Sequence, residues 1–325
     1  MLDTTWGSTY FHRQEVLNAM LKDQLRDSLI GASNWVNWIS DFTDGSNYKI
    51  ASVGELSIDQ AAEATSLPDR RPDAGQFIFN INEYIGSKTS FTDDFIEEDH
   101  MANTVLQTLP ERMKRAMDEY IETRVFHLQN QQTANDPNTI NGARHRYTAN
   151  GSGATITVQD IAYAGYALDK AGVPRAGRVA VVDPSFEFNT NIQTGLSDMT
   201  YNPNHQGIIE TGIGDSTGMR WIRNIYGFDI YVSNYLDTIT TAESSLTDYN
   251  GNTTAGAVGY KANLFFSTAD RMNMPFIGAW RRMPTFSSWR DEDKRIEYHQ
   301  MLARFGLKLY RPENLIVMLS STTLN

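Results

Sequence analysis

Three features of the 325-residue sequence predict an α+β fold with an extended half and a compact half. The first is a long amphipathic helix, PERMKRAMDEYIETRVFHL, preceded by Thr108 and Leu109. The second is a pair of strand-like stretches, NYKIASVGELSI and QFIFNINEYI, held apart by the polar, proline-containing run DQAAEATSLPDRRPDAG. The third is a valine-rich run that ends abruptly, AGRVAVVDPSF. Asp183 at the end of that run could be a catalytic carboxylate at a strand end, the edge of a phosphate loop, or a helix cap.

The chain begins with an amphipathic pattern from Arg13 to Ile30, where Val16, Leu17, Met20, Leu21, Leu25 and Leu29 share one helical face and Gly31 is a natural stop. A helix placed before any compact domain must dock on its own chain or on a neighbour. In QFIFNINEYI, Phe77, Phe79 and Ile81 alternate with Ile78, Asn80 and Asn82. The two strands and their long polar tip therefore predict an extended hairpin. Thr108-Leu109-Pro110-Glu111 reads as a capping box with proline in the first turn, opening a helix to about Gln129. Met113, Met117, Ile121, Val125 and Leu128 form its apolar stripe, supported by Ala116 and Tyr120, while Arg112, Glu119, Glu122 and Arg124 supply polar surface. A long single helix beside an extended hairpin predicts a spine, not a bundle.

The polar run from Gln129 to Gly153 marks a domain boundary. A second cap, Thr157-Val158-Gln159-Asp160, opens a helix with Val158, Ile161, Tyr163, Ala164 and Leu168 on its apolar face and Gly172-Val173-Pro174 at its end. The strand Val179–Val182 follows, then a further helix carrying Phe186, Phe188, Ile192 and Leu196. Residues Ser197 to Arg223 read as a long loop and NIYGFDIYVSNYL as a strand with Phe228, Ile230 and Val232 on one face. AVGYKANLFFS, MPFIGAW and the run from Arg295 to Leu309 read as strands, and a turn at Arg311-Pro312 leads into a last buried strand, Leu315–Leu319.

Composition narrows the function. Hydrophobic residues make up 40% of the chain, enough for a substantial core. Length predicts about two domains, at roughly 100–200 residues each. The absence of cysteine excludes disulfides, thiolate metal sites and a cysteine nucleophile. No basic segment followed by an apolar run opens the sequence, and its longest apolar runs are too short to span a bilayer, so neither a secretory signal nor membrane insertion is expected. A net charge of −11 opposes dedicated nucleic-acid binding, which draws affinity from neutralising phosphates. The basic clusters at Arg112-Met113-Lys114-Arg115, Arg144-His145-Arg146 and Arg281-Arg282 read as solvated faces or ion-pair partners.

GIGDSTG (Gly212–Gly218) has its third glycine too late for a dinucleotide fingerprint and no evident helix behind it, and the sequence has no GK[ST]. Asp93, Asp94, Glu97, Glu98, Asp99 and His100 cluster, and Glu97 and His100 have the Glu-x-x-His spacing of di-iron bundles, but no second copy exists. Acidic residues at a helix N-terminus explain that cluster, with a divalent cation as the alternative. The six histidines lack metal-ligand spacing, and His127 near a helix end is explained by the helix dipole. Trp280 with Arg281 and Arg282 could grip an anion or be structural. No catalytic constellation emerges, and without a companion base or phosphate loop Asp183 reads as the N-cap of a helix with Pro184 at its first position.

The order of these elements resembles the major capsid proteins of tailed bacteriophages, which share the Hong Kong 97 fold. PERMKRAMDEYIETRVFHL looks like the spine helix of that family's peripheral domain, and TVQDIAYAGYALDKAGVPRAGRVAVVDPSF like its axial domain. IYGFDIYVSNYL and ARFGLKLYRPENLIVML match its recurrent strand and its closing segment. The resemblance implies an N-terminal arm (1–45), an extended hairpin or E-loop (46–90), a peripheral domain (91–145 and 258–308, spine helix 109–129) and an axial domain (146–257 and 309–325). It implies a non-enzymatic shell protein with no cofactor, forming pentamers and hexamers around double-stranded DNA, in a virion assembled in the host cytoplasm. Its partners would be other copies of itself, a separate scaffolding protein (the initial Met and the lack of a long N-terminal extension favour this), a portal and decoration proteins, with only non-specific DNA contact. Charges of both signs at the hairpin tip, Glu55, Asp59, Glu63, Asp69, Arg70, Arg71 and Asp73, are the expected inter-subunit contacts. The alternatives are an encapsulin-like compartment shell and an α/β enzyme whose site is unrecognised.

Overall fold

The computed structural model describes residues 29–39, 47–53, 74–98, 102–132, 139–192, 221–241, 243, 246–253 and 257–322. Among these residues the chain opens with a 3₁₀ turn, Ala32–Trp35, and strands β1 (Val36–Ile39), β2 (Asn47–Val53), β3 (Ala74–Asn80) and β4 (Glu83–Thr92). Helices α1 (Asp93–Glu98) and α2 (Ala102–His127) follow, then the short strands β5 (Thr139–Ile140), β6 (Ala143–Arg144) and β7 (Arg146–Thr148). Helix α3 (Val158–Lys170), β8 (Arg178–Val182), α4 (Pro184–Ile192), β9 (Trp221–Ile225) and β10 (Phe228–Val232) come next. The chain closes with β11 (Lys261–Ser267), β12 (Phe276–Asp291), β13 (Ile296–Leu309) and β14 (Leu315–Ser320).

Two main sheets organise these elements: a six-stranded sheet in the order β7-β14-β11-β8-β10-β9 and a four-stranded sheet in the order β1-β12-β13-β4. The six-stranded sheet is buried on both faces, which is why β8, β11 and β14 read as nearly unbroken apolar runs. Alternate residues divide cleanly between two cores. Ala180, Val182, Phe265, Ile316 and Met318 face Ile161, Ala164, Leu168 and Phe186 of α3 and α4. Val179, Val181, Leu264, Phe266, Val317 and Leu319 face Ile121, Val125 and Phe126 of α2, together with Phe276, Phe305 and Leu309 of the four-stranded sheet.

Helix α2 therefore touches both sheets. The expected stripe is buried in full, with Met113 and Met117 on Met301 and Ala303 and the later residues in the shared core. Ala116 and Tyr120 lie outside it, and Phe126 joins it. The helix starts earlier than its capping box implies, at Ala102, and Pro110 sits inside it. Thr108 does not cap; its hydroxyl donates to the Val105 carbonyl within the helix. Glu122, expected on the polar surface, is 2% exposed.

The second cap behaves as expected. Thr157 and Asp160 form a reciprocal capping box. Gly172 (φ +74) ends α3 with Val173 N–H donating to Leu168 O and Gly172 N–H to Asp169 O, the paired bonds of a Schellman ending. Elsewhere the strand boundaries differ. NIYGFDIYV is two strands, turning at Tyr226 and Gly227, both at positive φ, with Phe228, Ile230 and Val232 buried as expected. β12 runs eleven residues beyond the Trp280 at which sequence ended it. The polar junction holds a buried strand, β7, that pairs with β14. Phe188 is exposed. Residues 83–90, assigned to the hairpin, pair with β13, Lys261–Ser267, assigned to the peripheral unit, with β8 and β14, and β1, assigned to the arm, with β12. The expected arm helix lies outside the described residues apart from Leu29 and Ile30, which are not helical.

Ile121 is buried where α2 meets both sheets. Ile121→Asp places an unpaired charge in that core, a cost of about 3–5 kcal/mol against a total stability of roughly 5–15 kcal/mol. The variant should lose its cooperative thermal transition by circular dichroism; a native spectrum and unchanged Tm would contradict this placement.

Candidate assembly surface

The hairpin β2–β3 is paired in register from Asn47↔Asn80 to Val53↔Ala74. Its base is fixed to the body by the alternation read from sequence. Phe79 and Ile81 pack inward against Ile277 and Ala279, while Ile78 and Asn80 face out. Lys308 donates to the Ile78 carbonyl (2.8 Å) and places its ammonium 4.7 Å from the Phe77 ring centre. Gly306 lets the chain cross β13 here, since a Cβ would stand 2.5 Å from the Asn80 carbonyl oxygen. The tip residues expected to contact neighbours, Glu55, Asp59, Glu63, Asp69, Arg70, Arg71 and Asp73, lie outside the described residues.

A second projecting feature was not legible in the sequence. β1 pairs with β12 only from Phe276 to Ala279. Every residue from Arg281 to Arg290 is exposed, and among the described residues no strand lies along that outer edge. Register shifts at Trp280/Arg282 and Arg282/Thr285, with Pro284 between them, blunt the edge near its root. Beyond Thr285 the ladder with β13 is regular to the tip. Trp289 stacks on Tyr298 (5.3 Å), and the Lys88 ammonium sits 4.0 Å from the Tyr298 ring centre. Met283, Phe286 and Tyr84 are also exposed on this ribbon. The available signal was the Met-Pro-x-Phe-x-x-Trp run, whose aromatics lack the neighbours of a core strand.

The residues weighed for chemistry are engaged structurally. Arg146 pairs with Glu243 and donates to the Gln129 side chain (2.7 Å). Arg144 donates to Thr247 and to the Asp248 carbonyl. His145 is fully buried, which lowers its pKa, and its Nδ1 stands 3.1 Å from the Ala143 carbonyl oxygen. His127 has a specific partner as well as the helix end: Asp237 lies 2.9 Å from its Nδ1 and accepts from Gln129 and Asn130. A cleft of about 260 Å³ opens beside His127. Its Glu83 accepts from Arg124 and from the Tyr120 hydroxyl. Trp280 stacks on Trp38 at 4.7 Å, while Arg282 donates to Thr285. Of the acidic cluster, Asp93 pairs with Arg290 (2.9 Å) in the first turn of α1; Asp99 and His100 lie outside the described residues, as does Gly212–Gly218. Among the described residues, no three His, Asp or Glu side chains gather as a metal site.

Asp183 is settled by its partners. Its carboxylate accepts from the Ser185 N–H (3.0 Å) and hydroxyl (2.6 Å), and its carbonyl accepts from Phe186 N–H, with Pro184 at the first position of α4. Its own N–H donates to Asn263 (3.0 Å). It is a helix cap wired into the six-stranded sheet.

A family model described as "Phage capsid protein" matches residues 76–316. The chain belongs to the phage capsid protein family. A search of curated proteins finds no match. Among solved structures, one from Mycobacterium phage Che8 is 18% identical, with 97% of this chain and 99% of that one covered and a TM-score of 0.64. The capsid of Cyanophage P-SCSP1u is 16% identical over 94% of this chain and 91% of that one, with a TM-score of 0.66. The capsid of Cyanophage Pam1 is 11% identical over 99% of each chain, with a TM-score of 0.65. These likenesses show a shared mixed α+β fold.

In this capsid protein Asp183→Ala should cost about 1 kcal/mol, the usual worth of a helix N-cap. Differential scanning calorimetry of unassembled subunits should show a Tm a few degrees lower. An unchanged Tm would mean that the cap is replaceable.

Proposed function

We propose that this major capsid protein assembles into the pentamers and hexamers of an icosahedral tailed-phage head, with the domain plan of the Hong Kong 97 fold. The observation that carries the reading is the family match over residues 76–316. In this plan α2 is the spine of a peripheral domain built on the four-stranded sheet, and the six-stranded sheet with α3 and α4 is the axial domain. The expected boundaries are kept, except that residues 83–90 join the peripheral domain and 261–267 the axial one. The hairpin tip, through Glu55, Asp59, Glu63, Asp69, Arg70, Arg71 and Asp73, and the free edge of β12 provide contacts between subunits. A scaffolding protein, a portal and decoration proteins complete the head, which is assembled in the host cytoplasm.

The physical argument is one of area and charge. Closed shells repeat the same interfaces around five-fold and six-fold rings, and projecting strands reach neighbours that a compact patch cannot. A net charge of −11 disfavours tight binding to packaged DNA, so contact with the genome is non-specific.

Purified protein, alone or with its scaffolding protein, should give pentamers, hexamers or closed shells by negative-stain microscopy and light scattering. A stable monomer or dimer under both conditions would refute the reading. Deleting residues 56–72 should leave a folded subunit with near-native Tm that assembles poorly. A collapse of Tm would instead assign the hairpin tip to the subunit's own core.

A further inference from the structure

We propose that the segment Ile30–Ile39 is a strap that holds the two sheets in one relative position, and that Glu122 is its latch. Glu122 lies on α2 and is buried, and its carboxylate accepts from three successive backbone N–H groups: Ile30 (3.2 Å), Gly31 (2.9 Å) and Ala32 (3.4 Å). Gly31, at φ +80, turns those donors onto one anion, a backbone nest. Among the described residues no cation pairs with Glu122, so the nest is its counter-charge.

From the latch the strap crosses both sheets. Trp35 packs edge-on against Tyr231 (5.3 Å) and Phe266 (5.4 Å) of the six-stranded sheet. Three residues later Trp38 stacks on Trp280 of the four-stranded sheet, and its indole N–H donates to the Ser33 carbonyl. β1 then pairs with β12, and Arg271 donates to the Asn37 side chain and the Trp38 carbonyl. The fit depends on Gly278, where a Cβ would lie 2.7 Å from the Trp38 ring. Ten residues thus tie α2 to both sheets, and on the α2 side the polar part of the tie is one carboxylate. Removing it leaves one buried and two half-buried donors unpaired, which favours local opening of the strap over retention of the closed form.

The purpose of such a device rests on the shell reading. A subunit repeated around five-fold and six-fold rings presents the same interfaces at every place, which calls for a joint between its two sheets that holds its setting. The strap spans that joint.

Hydrogen exchange on unassembled subunits of the wild type, Glu122→Ala and Gly31→Ala tests this. Gly31→Ala deforms the nest without removing the charge, and it keeps the test open where Glu122→Ala does not fold. In either variant the amides of Ile30–Ala32 and of β1 should exchange about tenfold faster or more, while the β11–β14 ladder keeps wild-type rates. Wild-type rates across the strap in both variants would overturn the proposal. So would equal acceleration of the β11–β14 ladder, because the contact would then serve global stability. The readout needs no shell, so failure to assemble bears only on the proposed function.

Discussion

The two sheets of this capsid protein share a single apolar core, and α2 is the helix both of them touch. Each alternate residue of β8, β11 and β14 that points away from α3 and α4 must find cover. The second half of α2 and the aromatic ends of β12 and β13 provide it. Ile121, Val125, Phe266, Phe276 and Phe305 are consequently one packing problem, although they come from four elements, α2 and strands of both sheets. Movement of one sheet against the other must disturb this core, which makes the joint stiff and gives any device that crosses it leverage.

The periphery follows from that economy. With the core used to join the sheets, the β2–β3 hairpin is held to the body through Phe79 and Ile81, and among the described residues no strand covers the outer edge of β12 beyond Ala279. An exposed ten-residue edge with aromatic side chains is a hazard for a free monomer. On the proposed reading it is a contact for neighbouring subunits, and the register shifts near Pro284 leave the regular part of the ladder beyond Thr285. Paired charges such as Arg290–Asp93 stiffen the ribbon.

Local rules made much of the fold legible. The α3 capping box, its Gly172 ending, the stripe on α2 and the alternation through Phe77, Phe79 and Ile81 are each set by neighbours within a few residues. Asp183 could be read as a cap because Pro184 and Ser185 are adjacent to it. What sequence could not give was set by distant contacts. Pro110 fails to mark a helix start because tertiary packing carries α2 through it. Glu122 looks like surface because its partners are some ninety residues away. β12 was cut short at Trp280 because its far half is exposed and carries no buried periodicity. Trp35 and Trp38 had a signal, two tryptophans three apart after a glycine, but nothing in the sequence says that they reach different sheets. The hairpin-tip residues lie outside the described residues.

The central claim is that the covered joint is the subunit's own while the bare ribbon is the shell's. It is tested most directly by comparing hydrogen exchange of closed shells with that of free subunits. The account predicts that amides from Thr285 to Arg290 become strongly protected on assembly, while those of β8, β11 and β14 keep the slow exchange they already have. Unchanged exchange along the ribbon, with new protection appearing in the six-stranded sheet, would contradict it.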